Sequence, residues 1–137
     1  MSWKLHHVNL PARCVRETAT FYTEVLGMQE GSPEFKEEDR GDFKTDDQNV
    51  AWFDNGVAQL HIARPSSSFC KDNNFHMDPL VNGHIAIEVD DLDEIRERLR
   101  ERGVYFADPG NWALNGYQQI YTLDPASNAV EINQRLR

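Results

Sequence analysis

Three residues of this sequence have the side chains and the placement of a metal site. His7 and His84 each lie in a short apolar run near the start of one half of the chain, and Glu131 lies in the last such run. Two imidazoles and one carboxylate suit a borderline divalent metal, and three ligands leave coordination positions open. When the three face one way, such a set is typical of non-haem Fe(II), although Zn, Mn, Ni or Co also fit it. The sequence therefore predicts a divalent metal site at His7, His84 and Glu131.

Two polar residues in a strand-like run of the first half are further candidates. Gln59 occupies a place in the first half similar to that of Glu131 in the second, so we predict that it lies beside the metal. A glutamine can ligate through its carbonyl oxygen, but it cannot act as a base. His61 is a fourth ligand, a proton carrier next to the site, or a partly buried strand histidine with an ordinary hydrogen bond.

The remaining histidines and the two cysteines are expected outside the chemistry. Strand alternation predicts that His6 points to the face opposite His7, and we expect both His6 and His76 at the surface or in a loop. No residue near Cys14 or Cys70 is of a kind that would lower a thiol pKa, so neither is predicted to be a nucleophile. Two cysteines in 137 residues do not make a disulfide scaffold and fit reduced thiols.

The elements that must position these residues begin with a strand and a helix. Apolar residues recur at helical spacing before Gly27, which suits the glycine that follows a helix. The dipeptide Asn55-Gly56 predicts a hairpin turn with positive φ at both positions. In the first half we predict a strand Trp3–Leu10, a helix Arg13–Leu26, a strand Met28–Phe35, an exposed loop Lys36–Asn49, and strands Val50–Asp54 and Val57–Arg64.

The same order of elements restarts after a segment rich in Ser, Asn and Pro. There we predict a strand Gly83–Val89, a helix Asp91–Arg102, a short strand Val104–Ala107, and strands Tyr117–Leu123 and Ala129–Asn133. The two histidines are 77 residues apart and the two helix-ending glycines 76. Such near-constant offsets mark an internal repeat. We therefore predict one α+β domain, 1–137, with two tandem βαβββ modules (1–64 and 81–137) and a linker, 65–80.

Composition excludes several classes of function. The chain is long enough to bury a core, and its net charge of −9 comes without a basic stripe, so nucleic acid is not an expected partner. The N-terminus lacks an apolar targeting segment, and no run of 18 apolar residues is long enough to cross a membrane. We expect a cytoplasmic protein that acts on a small molecule.

Three stretches of the sequence resemble one family of proteins. They are Leu5-His6-His7-Val8-Asn9-Leu10 with Phe21–Met28, Gly83-His84-Ile85-Ala86-Ile87-Glu88-Val89, and Leu123-Asp124-Pro125 through Ile132. Together they resemble the vicinal oxygen chelate superfamily, which includes glyoxalase I, extradiol dioxygenases, fosfomycin-resistance enzymes and bleomycin-binding proteins. The resemblance implies a curved mixed sheet around a metal cleft, a metal that holds two neighbouring substrate oxygens, and a homodimer.

Extradiol dioxygenases share the most features with this chain. Their metal set corresponds to His7, His84 and Glu131, and their signature tyrosine before an Asp-Pro turn corresponds to Tyr121, which would hydrogen-bond a substrate oxygen. Their signature also has a histidine before this tyrosine, and residues 111–116 contain none. The resemblance favours Fe(II) and dioxygenase chemistry.

Other members of the superfamily provide the alternatives. Glyoxalase I normally uses four ligands, and Gln59 stands here at one of its two glutamate positions, so a lyase or isomerase reaction would depend on Glu131. Fosfomycin-type transferases need a basic pocket, which the acidic composition does not favour. A non-catalytic binding protein of the bleomycin type usually lacks the metal ligands that this sequence retains.

Overall fold

A computed structural model of the chain describes residues 1–31, 46–65, 68–112 and 114–137. Its strands are β1 (Trp3–Pro11), β2 (Val50–Asp54), β3 (Gln59–Ala63), β4 (His84–Val89), β5 (Phe106–Gly110), β6 (Tyr117–Leu123) and β7 (Ala129–Arg135). Its helices are α1 (Val15–Thr20), which continues as a π-helical turn at Phe21–Val25, then α2 (Phe69–Asp72), α3 (Pro79–Asn82) and α4 (Leu92–Glu101). In the described ranges, no helix is both long and apolar enough to span a membrane.

The seven strands form one mixed sheet in the order β2-β3-β1-β4-β7-β6-β5. The two central strands, β1 and β4, are antiparallel, with His7 opposite Ala86 and Asn9 opposite His84. On either side of them, β1 pairs in parallel with β3 and β4 pairs in parallel with β7. The two halves of the sheet are therefore related by a pseudo-twofold axis between β1 and β4, and the predicted α+β mixed sheet is confirmed.

The two longer helices cover one face of the sheet. Helix α1 packs Val15 and Ala19 against Phe53 and Ile62, and α4 packs Leu92 against Ile120. Because side chains alternate along a strand, the residues next to these apolar ones point to the opposite face. We call this second face the site face.

Helix ends follow the predicted signals in both halves. The Asp91 side chain accepts a hydrogen bond from the Glu94 amide at 3.0 Å at the start of α4. Gly27 and Gly103 have φ of 66° and 65° after the helical segments, as expected for the glycine that ends a helix. In the first half the final helical turn is π-helical, which the periodicity of the sequence does not indicate.

Several predicted elements differ from the structure. Within the described part of the predicted strand Met28–Phe35, Glu30 forms an isolated antiparallel bridge with Phe53 and the Gly31 amide donates to the Trp52 carbonyl, and residues 32–45 lie outside the described part of the chain. Positive φ occurs at Gly56 but not at Asn55, because the Asn55 side chain instead accepts two amide hydrogen bonds and a four-residue loop joins β2 to β3. The predicted linker 65–80 contains α2 and the first half of α3, and buries Phe69 and Leu80.

Candidate metal centre

Three neighbouring strands, β1, β4 and β7, carry the three predicted ligands to the site face. Glu131 on β7 lies beside Ala86 on β4, and His84 on β4 lies beside Asn9 on β1. Residues paired across neighbouring strands share a face, so His7, His84 and Glu131 converge although they are far apart in sequence. All three are buried, and Glu131 is only 1% exposed.

The donor atoms of the triad form a nearly equilateral triangle. His7 Nε2 lies 3.3 Å from His84 Nε2 and 3.3 Å from Glu131 Oε2, and His84 Nε2 lies 3.1 Å from the same oxygen. For a metal about 2.1 Å from each donor, adjacent ligand atoms are about 3.0 Å apart in an octahedral site and about 3.4 Å in a tetrahedral one. The observed distances lie between these values, so the triad fits three ligands on one face of a divalent metal.

The proton position on His84 follows from its backbone partner. Its Nδ1 lies 3.0 Å from the carbonyl oxygen of Pro79, and a carbonyl can only accept, so Nδ1–H is the donor. A neutral imidazole then has a lone pair on Nε2, which faces a carboxylate oxygen at 3.1 Å. Two acceptors at this distance repel each other unless a cation lies between them. The arrangement therefore favours a metal ion or a proton at this point.

The Glu131 carboxylate is held in one orientation by amide donors. Asn133 Nδ2 and Gln119 Nε2 donate to its Oε1 at 2.8 and 3.1 Å, and the Tyr121 hydroxyl donates to Oε2 at 3.1 Å. With Oε1 occupied by two donors, Oε2 remains turned toward the two histidines.

The expectation that His6 points away from His7 is wrong. The register of β1 against β4 shifts between Leu5 and His7, so β1 has one extra residue at this point. This β-bulge brings both adjacent histidines to the buried side, where His6 is 7% exposed and its Nδ1 lies 2.8 Å from His7 Nδ1. His76, in contrast, is exposed as predicted.

His61 lines the same cavity as the triad without joining it. Its ring stacks on His7 with centroids 3.8 Å apart and on Trp52 with centroids 3.9 Å apart. Its Nε2 lies 3.0 Å from the side-chain oxygen Oε1 of Gln59, so Nε2–H donates and Nδ1 is an acceptor. The Gln59 amide nitrogen in turn donates to Asp54 Oδ2 at 3.0 Å. The ring of His61 thus separates Gln59 from the metal position, so Gln59 lies further from it than we expected. The role of Gln59 as a ligand stays a prediction.

The strand register also corrects the matching of the two halves. Asn9 and Ala86 each come two residues after the histidine of their central strand, and they pair with His61 and Glu131 respectively. The pseudo-twofold axis therefore relates Glu131 to His61, not to Gln59. Residue counts along the chain match Glu131 with Gln59, which lies two residues before His61. These counts do not include the pairing register of the parallel strands, which decides the match.

Burial favours the neutral form of His7 and His61. Burial lowers the pKa of His7 to about 4, although Glu131 acts in the opposite direction. Burial likewise holds the pKa of His61 well below its usual value, and the neighbouring His7 acts in the same sense. Neutral imidazoles are the form that binds metals, so the site is prepared for a cation near pH 7.

The space next to the triad is small and is separated from a larger cleft. The cavity at the donor atoms has a volume of about 30 Å³ and apolar walls that include Val50, Leu80 and Trp112. This is above the roughly 10–15 Å³ that a cavity needs, in the same measure, to hold one water molecule. A second cleft of about 520 Å³ lies outside it, lined by His6, Trp52, Asp54, Gln59, Tyr117 and Arg135 among others. Leu114 lines both and therefore lies between them.

Sequence analysis missed four polar residues of the site: His6, Asn9, Gln119 and Asn133. The parity of the strands indicates two of them, because Asn133 shares a face with Glu131 and Gln119 with Tyr121. The Asn9 amide nitrogen is buried, lines the small cavity, and has no hydrogen-bond partner among the described residues. No local signal in the sequence indicates the bulge at His6.

Comparison with known proteins agrees with this geometry. The family model described as Glyoxalase/Bleomycin resistance protein/Dioxygenase superfamily matches residues 4–132. No protein among those with curated descriptions matches the chain by sequence.

Several solved structures are similar in fold. A hypothetical protein from Bacillus halodurans has a TM-score of 0.68 at 20% identity, with 100% of this chain and 97% of that chain covered. Methylmalonyl-CoA epimerase from Mycobacterium tuberculosis has a TM-score of 0.66 at 17% identity, covering 98% and 89%. A superfamily member from Vibrio splendidus has a TM-score of 0.60 at 16% identity, covering 97% and 99%.

Proposed function

Because the chain belongs to the glyoxalase/bleomycin resistance protein/dioxygenase superfamily, we propose that it is a divalent-metal-dependent enzyme that binds a small substrate through two neighbouring oxygens. His7, His84 and Glu131 would hold the metal. The observation that carries the proposal is the convergence of three buried donor atoms, with His84 Nε2 and Glu131 Oε2 3.1 Å apart, a contact that favours a positive ion between them. A bound divalent metal would supply positive charge for the two substrate oxygens.

Dioxygenase chemistry with Fe(II) is the first candidate reaction. Three ligands on one face leave three octahedral positions, which is enough for two substrate oxygens and O₂. The extradiol signature has a histidine before the tyrosine that this chain lacks, but the fold brings His61 into the same cavity from another strand. In this proposal Tyr121 and Asn9 hydrogen-bond substrate oxygens, and His61 exchanges a proton with substrate.

A lyase or isomerase reaction is the second candidate, and a specific observation favours it. His61 occupies the position related to Glu131 by the pseudo-twofold axis, where it would complete a set of four ligands after a rotation of its ring. Four ligands leave two octahedral positions, which suffice for two substrate oxygens but not for O₂ as well. The structurally similar proteins include methylmalonyl-CoA epimerases.

The surroundings of the site complete the proposal. The walls of the inner cavity are mostly apolar, which suits a compact substrate with two adjacent oxygens at one end. Gln59 would orient His61 through the hydrogen bond at 3.0 Å rather than touch the substrate. We further propose that the enzyme works as a homodimer in the cytoplasm.

Metal analysis of anaerobically purified protein tests the proposal. The wild type, His84→Ala and the exposed control His76→Ala are compared by elemental mass spectrometry. We expect about one metal per chain in the wild type and the control, and loss in His84→Ala. Fe(II), followed by O₂ uptake with catechols, would support the first candidate, and Zn, Ni, Mn or Co the second. No metal in any of the three would contradict the proposal and favour a binding protein.

A further inference from the structure

The β-bulge in β1 creates an unusual contact between two neighbouring histidines. His6 Nδ1 and His7 Nδ1 lie 2.8 Å apart, a hydrogen-bond distance at which one nitrogen must donate and the other accept. The His6 ring is also fixed by an edge contact with Tyr117, with ring centroids 5.0 Å apart. The backbone of the bulge and this packing together hold the two rings in place.

The direction of this hydrogen bond decides whether His7 can bind a metal. A neutral imidazole carries one proton, so if His7 Nδ1 donates, His7 Nε2 presents its lone pair to the triad. If His6 Nδ1 donates instead, the proton of His7 lies on Nε2 and occupies the position of the metal. His7 is therefore a ligand only while His6 accepts.

A half-buried carboxylate favours the accepting form of His6. Glu88 Oε2 lies 3.8 Å from His6 Nε2, and this oxygen atom is buried. The other oxygen of Glu88 lies 3.3 Å from the Lys4 ammonium. A proton on His6 Nε2 faces this negative charge, whereas a lone pair there would be repelled by it.

We propose that His6 is a positioning residue for the metal ligand His7, accepting the His7 Nδ1 proton and thereby holding the His7 Nε2 lone pair toward the metal. Glu88 stabilises this arrangement from the other side of the His6 ring. The chain of contacts thus runs from Glu88 through two imidazoles to the metal position. This inference rests on the proposed function only in requiring that a metal binds the triad.

Zn²⁺ affinity, measured by competition with a chelator, tests the role of His6. His6→Phe keeps a ring of similar size but removes the acceptor, and we expect affinity to fall roughly 10- to 100-fold. His6→Asn places an amide oxygen near the position of Nδ1 and should restore affinity to within about threefold of wild type. His76→Phe, at an exposed histidine, is the control and should leave affinity unchanged.

Nitrogen NMR of the Zn²⁺-loaded protein provides a measurement that a purely structural role of His6 would not affect. The wild type should show a scalar coupling between the two Nδ1 atoms across the hydrogen bond, with the proton on His7. Absence of this coupling, or equal Zn²⁺ affinity of folded His6→Phe and wild type, would overturn the proposal. Failure of the wild type to bind Zn²⁺ at all would instead contradict the proposed function, so the two failures are distinguishable.

Discussion

Acid destabilisation of the metal-free protein follows from the burial of His7. Its pKa is about 4 in the folded state and about 6.5 in an unfolded chain. Below pH 6.5 the unfolded state therefore binds more protons than the folded state, and the free energy of unfolding falls as the pH falls. The loss begins near pH 6.5 and is complete only when His7 is also protonated in the folded state, near pH 4.

The size of this effect can be worked out for a window in which few other groups titrate. Between pH 7.5 and 5.0, the two pKa values of His7 give a loss of about 2 kcal/mol from this residue alone. Burial lowers the pKa of His61 as well, so His61 adds to the loss with the same sign. Ordinary carboxylates, with pKa values of about 4, stay ionised in both states at pH 5.0. For a slope of about 2 kcal/mol per M urea, the His7 effect alone moves the urea midpoint by about 1 M.

Urea unfolding in the presence of a chelator, followed by tryptophan fluorescence at pH 7.5, 6.5 and 5.0, measures this loss. His61→Phe keeps the stacked ring but removes a buried neutral imidazole, so its stability should depend less on pH than that of the wild type. His76→Phe removes an exposed histidine and should behave like the wild type. Equal stability of the wild type at pH 7.5 and 5.0 would refute the conclusion that His7 is buried in its neutral form.

Three further predictions concern the metal and its supports. Zn²⁺ at 100 times its Kd should stabilise the wild type by about 2.7 kcal/mol but not His84→Ala, as measured by thermal unfolding. Gln119→Leu and Asn133→Leu each remove an amide donor from the ligand carboxylate, so chelator competition should show a roughly 10- to 100-fold loss of Zn²⁺ affinity. Gly83→Ala would place a Cβ 2.8 Å from a backbone oxygen of β1 at a φ of 75°, whereas Gly56→Ala at φ 80° meets no atom within 4 Å. Urea unfolding should therefore show a larger loss of stability for Gly83→Ala, and equal losses would contradict the close approach.

The sequence alone predicted the elements of the central and second-half sheet well. Period-two alternation and turn residues predict β1, β4, β6 and β7, and the glycine that follows the second helix, Gly103, predicts the end of α4. These signals are local, because a few neighbouring residues determine whether a segment buries one face as a strand or a helix. The sequence also indicates the residue types of the triad, because few side chains bind divalent metals. Their placement at similar positions in the two halves argues against a chance occurrence.

Local signals failed where two distant segments decide the outcome together. Phe69 and Phe75 lie within a polar segment that the sequence predicts to be a linker, yet they pack against Tyr121 and Ala107 of the second half. The Asn55 side chain accepts amide hydrogen bonds and so forms a four-residue loop, which the dipeptide pattern does not distinguish from a tighter turn.

The composition of the site beyond the triad was decided by tertiary structure. A bulge against β4 turns His6 to the buried side, and the pairing of β1 with β3 makes His61 the counterpart of Glu131 in place of Gln59. Both results depend on strand register, and shifting a register by one residue reverses the face of every side chain in the strand. The sequence by itself thus determined which elements form and which side chains can bind a metal. Register, set by hydrogen bonds between strands far apart in the chain, decided which of those side chains meet.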